Sequence, residues 1–204
     1  MHGKPTTLAK IFGLFRISHR NQASGKSYKL DVVVMENLFY GRQCSRIFDL
    51  KGSMRNRYVK ETGAAGEVLL DENLVEISLQ KPLYVRESSK ALLRSALRHD
   101  SSFLAEMNIM DYSVIVGVDA NDPNNRELVV GIIDFLRSYT WDKRVETFVK
   151  EQSSLLGAAK GELPTVITPR QYASRFLSFL DGMLLVSPDS WYHHIEDGRR
   201  PATL

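Results

Sequence analysis

The sequence predicts an α+β fold in which antiparallel strand pairs carry packed helices. Two pairs of strand-like runs predict the sheets. One is Leu8–Ile17 with Leu30–Met35; the other flanks the Asn-, Asp- and Pro-rich stretch from Asp119 to Asn125. Amphipathic patterns after Ser88 and after Thr168 predict the helices. A chain of 204 residues can hold one domain with a proper core, or form part of a larger one.

In order, Leu8–Ile17 alternates apolar residues as a strand does, and the polar stretch from His19 to Ser27, with Gly25, reads as a hairpin loop. Leu30–Met35 is rich in valine, which predicts a buried second strand. It runs into Glu36-Asn37-Leu38-Phe39-Tyr40-Gly41, either a plain strand exit or a short extended segment offering backbone groups to a flat ligand such as adenine. A short helix is expected around Leu74–Leu79, ending before Pro82. Ser88 or Ser89 can cap the next helix, with Leu92, Leu93, Ala96 and Leu97 on one face, and Ser101 can restart or continue it. His99 reads as structural there. Thr168 and Pro169 are expected as N-cap and first-turn residue of a last helix with Tyr172, Phe176, Leu177, Phe179 and Leu180 on its apolar side. The tail from His193 reads as loose.

The bulk numbers narrow the function. The formal charge of +3 (27 basic, 24 acidic residues) is too small an excess for a nucleic-acid binder. Cys44 is the only cysteine, which rules out an intramolecular disulfide, argues against a cysteine zinc site and fits a reducing compartment. No apolar run can span a bilayer, and no signal-peptide core follows Met1. There is no internal repeat, Walker-type loop or metal-ligand spacing. A cytosolic protein, with a membrane-surface partner left open, is expected.

Chemistry is expected at two acidic residues. Asp111 precedes one strand-like run and Asp134 ends the next, and a hairpin brings its outer ends together. Two neighbouring carboxylates can divide a phosphoryl transfer, one orienting and deprotonating a hydroxyl, the other holding Mg²⁺ on nucleotide phosphates. They read equally as strand ends in solvated turns. Arg46, Lys51, Arg55 and Arg57 cluster around Gly52-Ser53, where the backbone can approach something closely. Arg and Lys beside such a turn suit phosphate, while a solvated basic loop or a local Asp49–Lys51 ion pair stays open. In the stretch 141–156, Trp141, Val145, Phe148, Val149 and Leu155 form a stripe with Lys143, Arg144 and Lys150 outside it, fit either for an anionic membrane or for the core.

The segments Val34-Met35-Glu36-Asn37-Leu38, Asp49-Leu50-Lys51-Gly52-Ser53, Met110-Asp111-Tyr112-Ser113 and Gly131-Ile132-Ile133-Asp134 stand in the order found in phosphatidylinositol phosphate kinases. Ser138-Tyr139-Thr140-Trp141-Asp142-Lys143, Leu163-Pro164-Thr165-Val166 and Ser187-Pro188-Asp189-Ser190-Trp191 resemble the type III branch, the PIKfyve-like phosphatidylinositol-3-phosphate 5-kinases. The similarity covers nearly the whole chain.

The resemblance implies a kinase-like fold with the N-lobe largely missing. Residues 1–41 would be N-lobe strands and adenine linker, 42–192 the C-lobe with an activation loop at 136–170, and 193–204 a loose tail. It implies Asp111 and Lys51 as catalytic residues, Asp134 as metal ligand, and Glu36, Asn37 and Leu38 as nucleotide-binding residues. Arg57, Lys143, Arg144 and Glu146 would face lipid and membrane. It further implies ATP and Mg²⁺, a phosphoinositide substrate in a membrane surface, scaffold partners through upstream regions, and a peripheral place on endosomal or vacuolar membrane. One departure stands out. The glycine-containing phosphate loop and ATP-binding lysine that precede this region in the family have no counterpart in Lys4 or Lys10, so a fragment or truncated product, a poor kinase on its own, is expected. A non-catalytic phosphoinositide-binding module and a soluble inositol polyphosphate kinase remain as alternatives.

Overall fold

The computed structural model describes residues 3–118, 127–136 and 167–188. β1 (Ile11–Arg20) pairs antiparallel with β2 (Ser27–Met35). Their turn is closed by Asn21, whose side chain accepts from the amides of Ala23 and Ser24. β1 begins later than the alternation of Leu8–Ile17 predicts. Leu8 instead makes an isolated parallel bridge to Ile132. The carbonyl of Thr7 and the amide of Ala9 bond to the backbone of Ile132, while the buried carboxylate of Asp100 accepts from the hydroxyls of Thr6 and Thr7 and from the Thr7 amide. These bonds hold residues 6–9 along a second sheet before the ribbon starts.

The valine content of β2 predicts burial, and the structure corrects this. Val34 is exposed and Val32 and Val33 are half-buried, because among the described residues β1 is the sole strand beside it. Pairing Phe15 with Val32 and Ile17 with Leu30 places these four residues on one face of the ribbon, and Phe15, Ile17 and Leu30 are exposed.

The main sheet is built from β3 (Arg46–Leu50), β4 (Val68–Leu69), β6 (Ser113–Val118) and β7 (Leu128–Ile133), in the order β4-β3-β6-β7. Its pairs are antiparallel except β3 with β4. A parallel pair of three residues each, β5 (Leu83–Val85) with β8 (Leu184–Val186), is too short to announce itself in the sequence.

Helix α1 (Asp71–Gln80) follows β4 directly. Asn73, buried, ties it to the preceding loop by accepting from the amides of Leu70 and Val59 and donating to the Val59 carbonyl. Helix α2 (Glu87–Glu106) is one continuous helix. Its N-cap is Arg86, without a side-chain cap bond, so Ser88 and Ser89 lie inside the first turn. Glu87 takes the place where an acid suits the helix dipole. Leu97, Ser101 and Leu104 recur at helical spacing and are buried, whereas Leu92 is exposed, off the face expected for it. His99 is also exposed. Helix α3 (Pro169–Met183) opens as predicted: Thr168 and Gln171 exchange side-chain-to-amide bonds and Pro169 fills the first turn.

The core lies between α2, α3 and one face of the main sheet. Phe48, Leu50, Val114, Val116 and Ile132 come from the strands, Leu97 and Leu104 from α2, and Tyr172, Phe176 and Leu180 from α3. The opposite sheet face is left for the segment after β2.

Candidate functional site

Three strand ends meet on one rim of the main sheet. Leu50, the last residue of β3, pairs with Val114, and Ser113, the first of β6, pairs with Ile133, the last of β7. Lys51 therefore leaves β3, Asp111 approaches β6 and Asp134 leaves β7 at the same end. The predicted neighbourhood of Asp111 and Asp134 is what the register produces, and Lys51 joins them.

The approach to Asp111 follows from local chemistry. α2 stops at Asn108, whose φ of +55° is left-handed. The Asn108 amide donates to the Ala105 carbonyl and the Ile109 amide to the Leu104 carbonyl, a Schellman stop. Asp111 and Asp134 are themselves left-handed, with φ of +64° and +62°. Asp and Asn are the side chains that best tolerate this region after glycine. Both aspartates are exposed, while Tyr112, Ser113, Ile132 and Phe135 beside them are buried. The backbone thus turns two carboxylates out of a rigid core at matching positions.

Beside this rim lies the sheet face opposite the core. Register places Ile115, Gly117, Val129 and Gly131 on it. The segment after β2 covers part of this face. A Cβ on Gly131 would come within 2.4 Å of Leu38 Cδ1, and one on Gly117 within 2.6 Å of the Phe39 ring and of Cys44 Sγ. At either glycine a Cβ would displace these side chains. The segment is a turn from Leu38 onward rather than an extended exit. Asn37 builds the turn by accepting from the Phe39 amide, and Glu36 is engaged by the Lys10 amide and, at 3.5 Å, its ammonium group.

The loop after β3 is organised by a residue to which the sequence assigns no role. Asp71 is fully buried at the start of α1. Its Oδ1 accepts from the amides of Lys51 (3.0 Å), Gly52 (2.7 Å) and Ser53 (3.2 Å), and its Oδ2 from Arg57 Nε (2.8 Å). Arg57 Nη2 also donates to the carbonyl of Asp49 and, at 2.8 Å, to its carboxylate. Burial works to lower the Arg57 pKa, but its hydrogen bonds to Asp71 and Asp49 and the charges of both carboxylates outweigh it, and the guanidinium is held above its usual value. Asp49 is thus paired with Arg57 rather than with Lys51. The close approach expected at Gly52 is real, and its object is protein. Gly52 has φ of +66°, and a Cβ there would lie 2.8 Å from Phe176 Cα.

A second unassigned residue is Tyr172. Its hydroxyl donates to the main-chain carbonyl of Tyr112, next to Asp111. Its ring meets that of Tyr112 edge-on at 4.9 Å between centroids. The sequence marks Tyr172 as apolar surface of a helix, and its partner lies too far along the chain for any periodicity to reveal. Lys143, Arg144 and Glu146, most of the 136–170 stretch, the turn at 119–125 and the 193–204 tail lie outside the described residues.

Among the described residues no group of three or more His, Cys, Asp or Glu side chains is placed to cage a metal ion, and no helix is long and apolar enough to cross a membrane. An exposed carboxylate such as Asp134 suits Mg²⁺, which takes one or two carboxylates and completes its shell with water and substrate phosphate.

Comparison with known proteins identifies the family. The family model described as phosphatidylinositol-4-phosphate 5-kinase matches residues 1–129 and 120–183. The chain is similar to 1-phosphatidylinositol 3-phosphate 5-kinase FAB1 of Saccharomyces cerevisiae, 53% identical over 94% of this chain and 8% of that protein. It is similar to 1-phosphatidylinositol-3-phosphate 5-kinase FAB1A of Arabidopsis thaliana, 49% identical over 92% of this chain and 10% of that one. The 1-phosphatidylinositol 3-phosphate 5-kinase of Homo sapiens is 49% identical over 92% of this chain and 9% of its own length. The chain spans about a tenth or less of these curated relatives.

Proposed function

The chain belongs to the phosphatidylinositol-4-phosphate 5-kinase family, and from that premise we propose that it supplies the catalytic rim of a phosphatidylinositol-3-phosphate 5-kinase. The reaction moves the ATP γ-phosphoryl group to the 5-hydroxyl of phosphatidylinositol 3-phosphate, giving phosphatidylinositol 3,5-bisphosphate. The observation that carries this reading is the convergence of Lys51, Asp111 and Asp134 at three neighbouring strand ends.

Each residue has a distinct task. Asp111 orients the 5-hydroxyl and accepts its proton. Lys51 balances charge on the transferring phosphate. Asp134 holds Mg²⁺ with help from the substrate phosphates, and the ion, when bound, neutralises charge on them. Glu36, Asn37 and Leu38 form the linker that holds adenine. Arg57 sets the Lys51 loop, with any headgroup contact made from that fixed position. Lys143, Arg144 and Glu146 meet the membrane and select the lipid. Residues 1–41 are read as the N-lobe part and 42–192 as the C-lobe part. The working place is the surface of an endosomal or vacuolar membrane, with scaffold proteins as further partners.

The test is conversion of phosphatidylinositol 3-phosphate in anionic vesicles, with labelled ATP and Mg²⁺, by the full-length enzyme that carries this segment and by its Asp111→Asn variant. Label in phosphatidylinositol 3,5-bisphosphate that disappears in the variant supports the reading. Phosphorylation of free inositol phosphates in preference to lipid, or turnover that survives Asp111→Asn, overturns it.

A further inference from the structure

We propose that Asp71 is a positioning residue for Lys51, acting by fixing the backbone of the loop that carries it. The inference rests on the kinase reading for what Lys51 does, but not for what holds it. Three consecutive amides, those of Lys51, Gly52 and Ser53, converge on one carboxylate oxygen of Asp71. Successive backbone N–H groups facing one anion make a nest. Here the anion is a side chain of the same chain, fully buried and so withdrawn from substrate.

The arrangement is costly unless it specifies something. A buried carboxylate gives little net stability over apolar packing, so on this proposal its role here is to fix one conformation. What it specifies is the path of residues 51–57. Oδ1 gathers the start of the loop, and Oδ2 takes Arg57 from its end at 2.8 Å. Arg57 then returns to Asp49, two residues before Lys51. The loop is closed as a ring of contacts around one side chain. Lys51 enters that ring through its own amide, so its Cα cannot shift without breaking a bond to Asp71. The other end of its placement is the Leu50–Val114 pairing that leads to Asp111.

The experiment compares Asp71→Asn with the unaltered sequence, in the full-length enzyme that carries this segment, by two independent readouts. The first is amide hydrogen exchange. Asn keeps one acceptor oxygen but loses the charge and the second oxygen, so either the three amides or Arg57 meet an N–H₂ group, and the ring opens; exchange at Lys51, Gly52 and Ser53 should quicken at least tenfold while β6 and β7 keep their rates. The second is turnover. kcat should fall on the order of a hundredfold, as small misplacements of catalytic groups do, with KM for ATP nearly unchanged. In a Lys51→Met background the same substitution should cost nothing further. Should Asp71→Asn fail to fold, Asp71→Glu keeps the charge and displaces the carboxylate by one methylene, and it carries the same readouts. Faster exchange throughout the sheet, unchanged exchange at the three amides, or losses that multiply with Lys51→Met would overturn the proposal. If the full-length enzyme that carries this segment shows no lipid kinase activity, the kinase reading fails, and exchange alone decides whether Asp71 holds Lys51.

Discussion

The hydroxyl of Tyr172, on the first turn of α3, donates to the main-chain carbonyl of Tyr112, one residue from Asp111. Both rings are buried, and Phe176 meets Tyr112 edge-on at 5.0 Å between centroids. The helix that follows the 137–166 stretch is thereby tied to the backbone that carries the proposed base. Tyr172→Phe keeps the aromatic packing and withdraws one buried donor. It should cost about 1–3 kcal/mol in urea unfolding. If that bond positions Asp111, kcat falls while KM for lipid holds. An unchanged unfolding midpoint would mean that the contact contributes nothing.

The same pair sets an alkaline limit. Burial raises the pKa of the Tyr172 hydroxyl far above its usual value, with the nearby Tyr112 and Asp111 adding to the effect. Burial also raises that of Tyr112, against a smaller opposing effect of the Ser101 hydroxyl. A hydroxyl that loses its proton less readily when folded stabilises the fold fully below its unfolded pKa, about 10, and loses that contribution as pH rises further. Unfolding midpoints should hold to about pH 10 and then drop. In Tyr172→Phe the drop should be shallower. Equal alkaline slopes in the two proteins would show that Tyr172 does not set the limit.

Gly52 and Gly63 separate backbone conformation from close packing. Both have positive φ, +66° and +75°. A Cβ at Gly52 would meet the backbone of Phe176 at 2.8 Å, whereas nothing lies within 4 Å of one at Gly63. Gly63→Ala should cost about 1–2 kcal/mol, the left-handed strain alone. Gly52→Ala should cost about 2–5 kcal/mol, since a helix backbone cannot yield as a side chain can. Similar melting temperatures for the two variants would refute the close approach.

The residues that were legible in the sequence are those whose partners are near in the chain or set by a period. Asp111 and Asp134 flank one hairpin, so alternation and turn chemistry suffice to bring them together. Thr168, Pro169 and Gln171 write a helix start within four positions. The residues that were not legible act across the fold. Asp71 serves amides in a loop that precedes it by a strand and two turns, and Gly52 is shaped by Phe176 on a helix much later. Val32–Val34 mislead because composition reports a tendency to be buried, not the presence of a neighbour. Ser88 and Ser89 mislead because either could cap, and the helix starts before both.

The membrane contribution is predicted from sequence at positions outside the described residues. Each basic side chain near an anionic surface supplies about 1 kcal/mol, so replacing Lys143 and Arg144 together by Ala should weaken vesicle binding by roughly tenfold or more at low salt. The loss should shrink as salt rises. Sedimentation with vesicles rich in anionic lipid measures it. Unaltered binding at low salt would remove both residues from the membrane surface.

Asp111 and Asp134 allow chemistry and folding to be read apart, because their backbone conformation restricts what can replace them. Asn is at home in the left-handed region and Ala is not. Asp111→Asn should keep its turn and its unfolding midpoint, since the carboxylate is exposed. Asp111→Ala should lose about 1–2 kcal/mol from backbone strain alone. Turnover should respond in the opposite sense, to the carboxylate rather than to the backbone. Removing a general base costs roughly 10²–10⁴-fold, and both substitutions remove it equally. Asp134→Asn should likewise spare the fold, and its lost turnover should return in part at high Mg²⁺, because one oxygen ligand survives in the amide. Asp111→Asn should show no such return. Urea unfolding and a Mg²⁺ titration of lipid phosphorylation distinguish all three variants. If Mg²⁺ rescues Asp111→Asn as well as Asp134→Asn, the two carboxylates share the metal and the division of tasks between them is wrong.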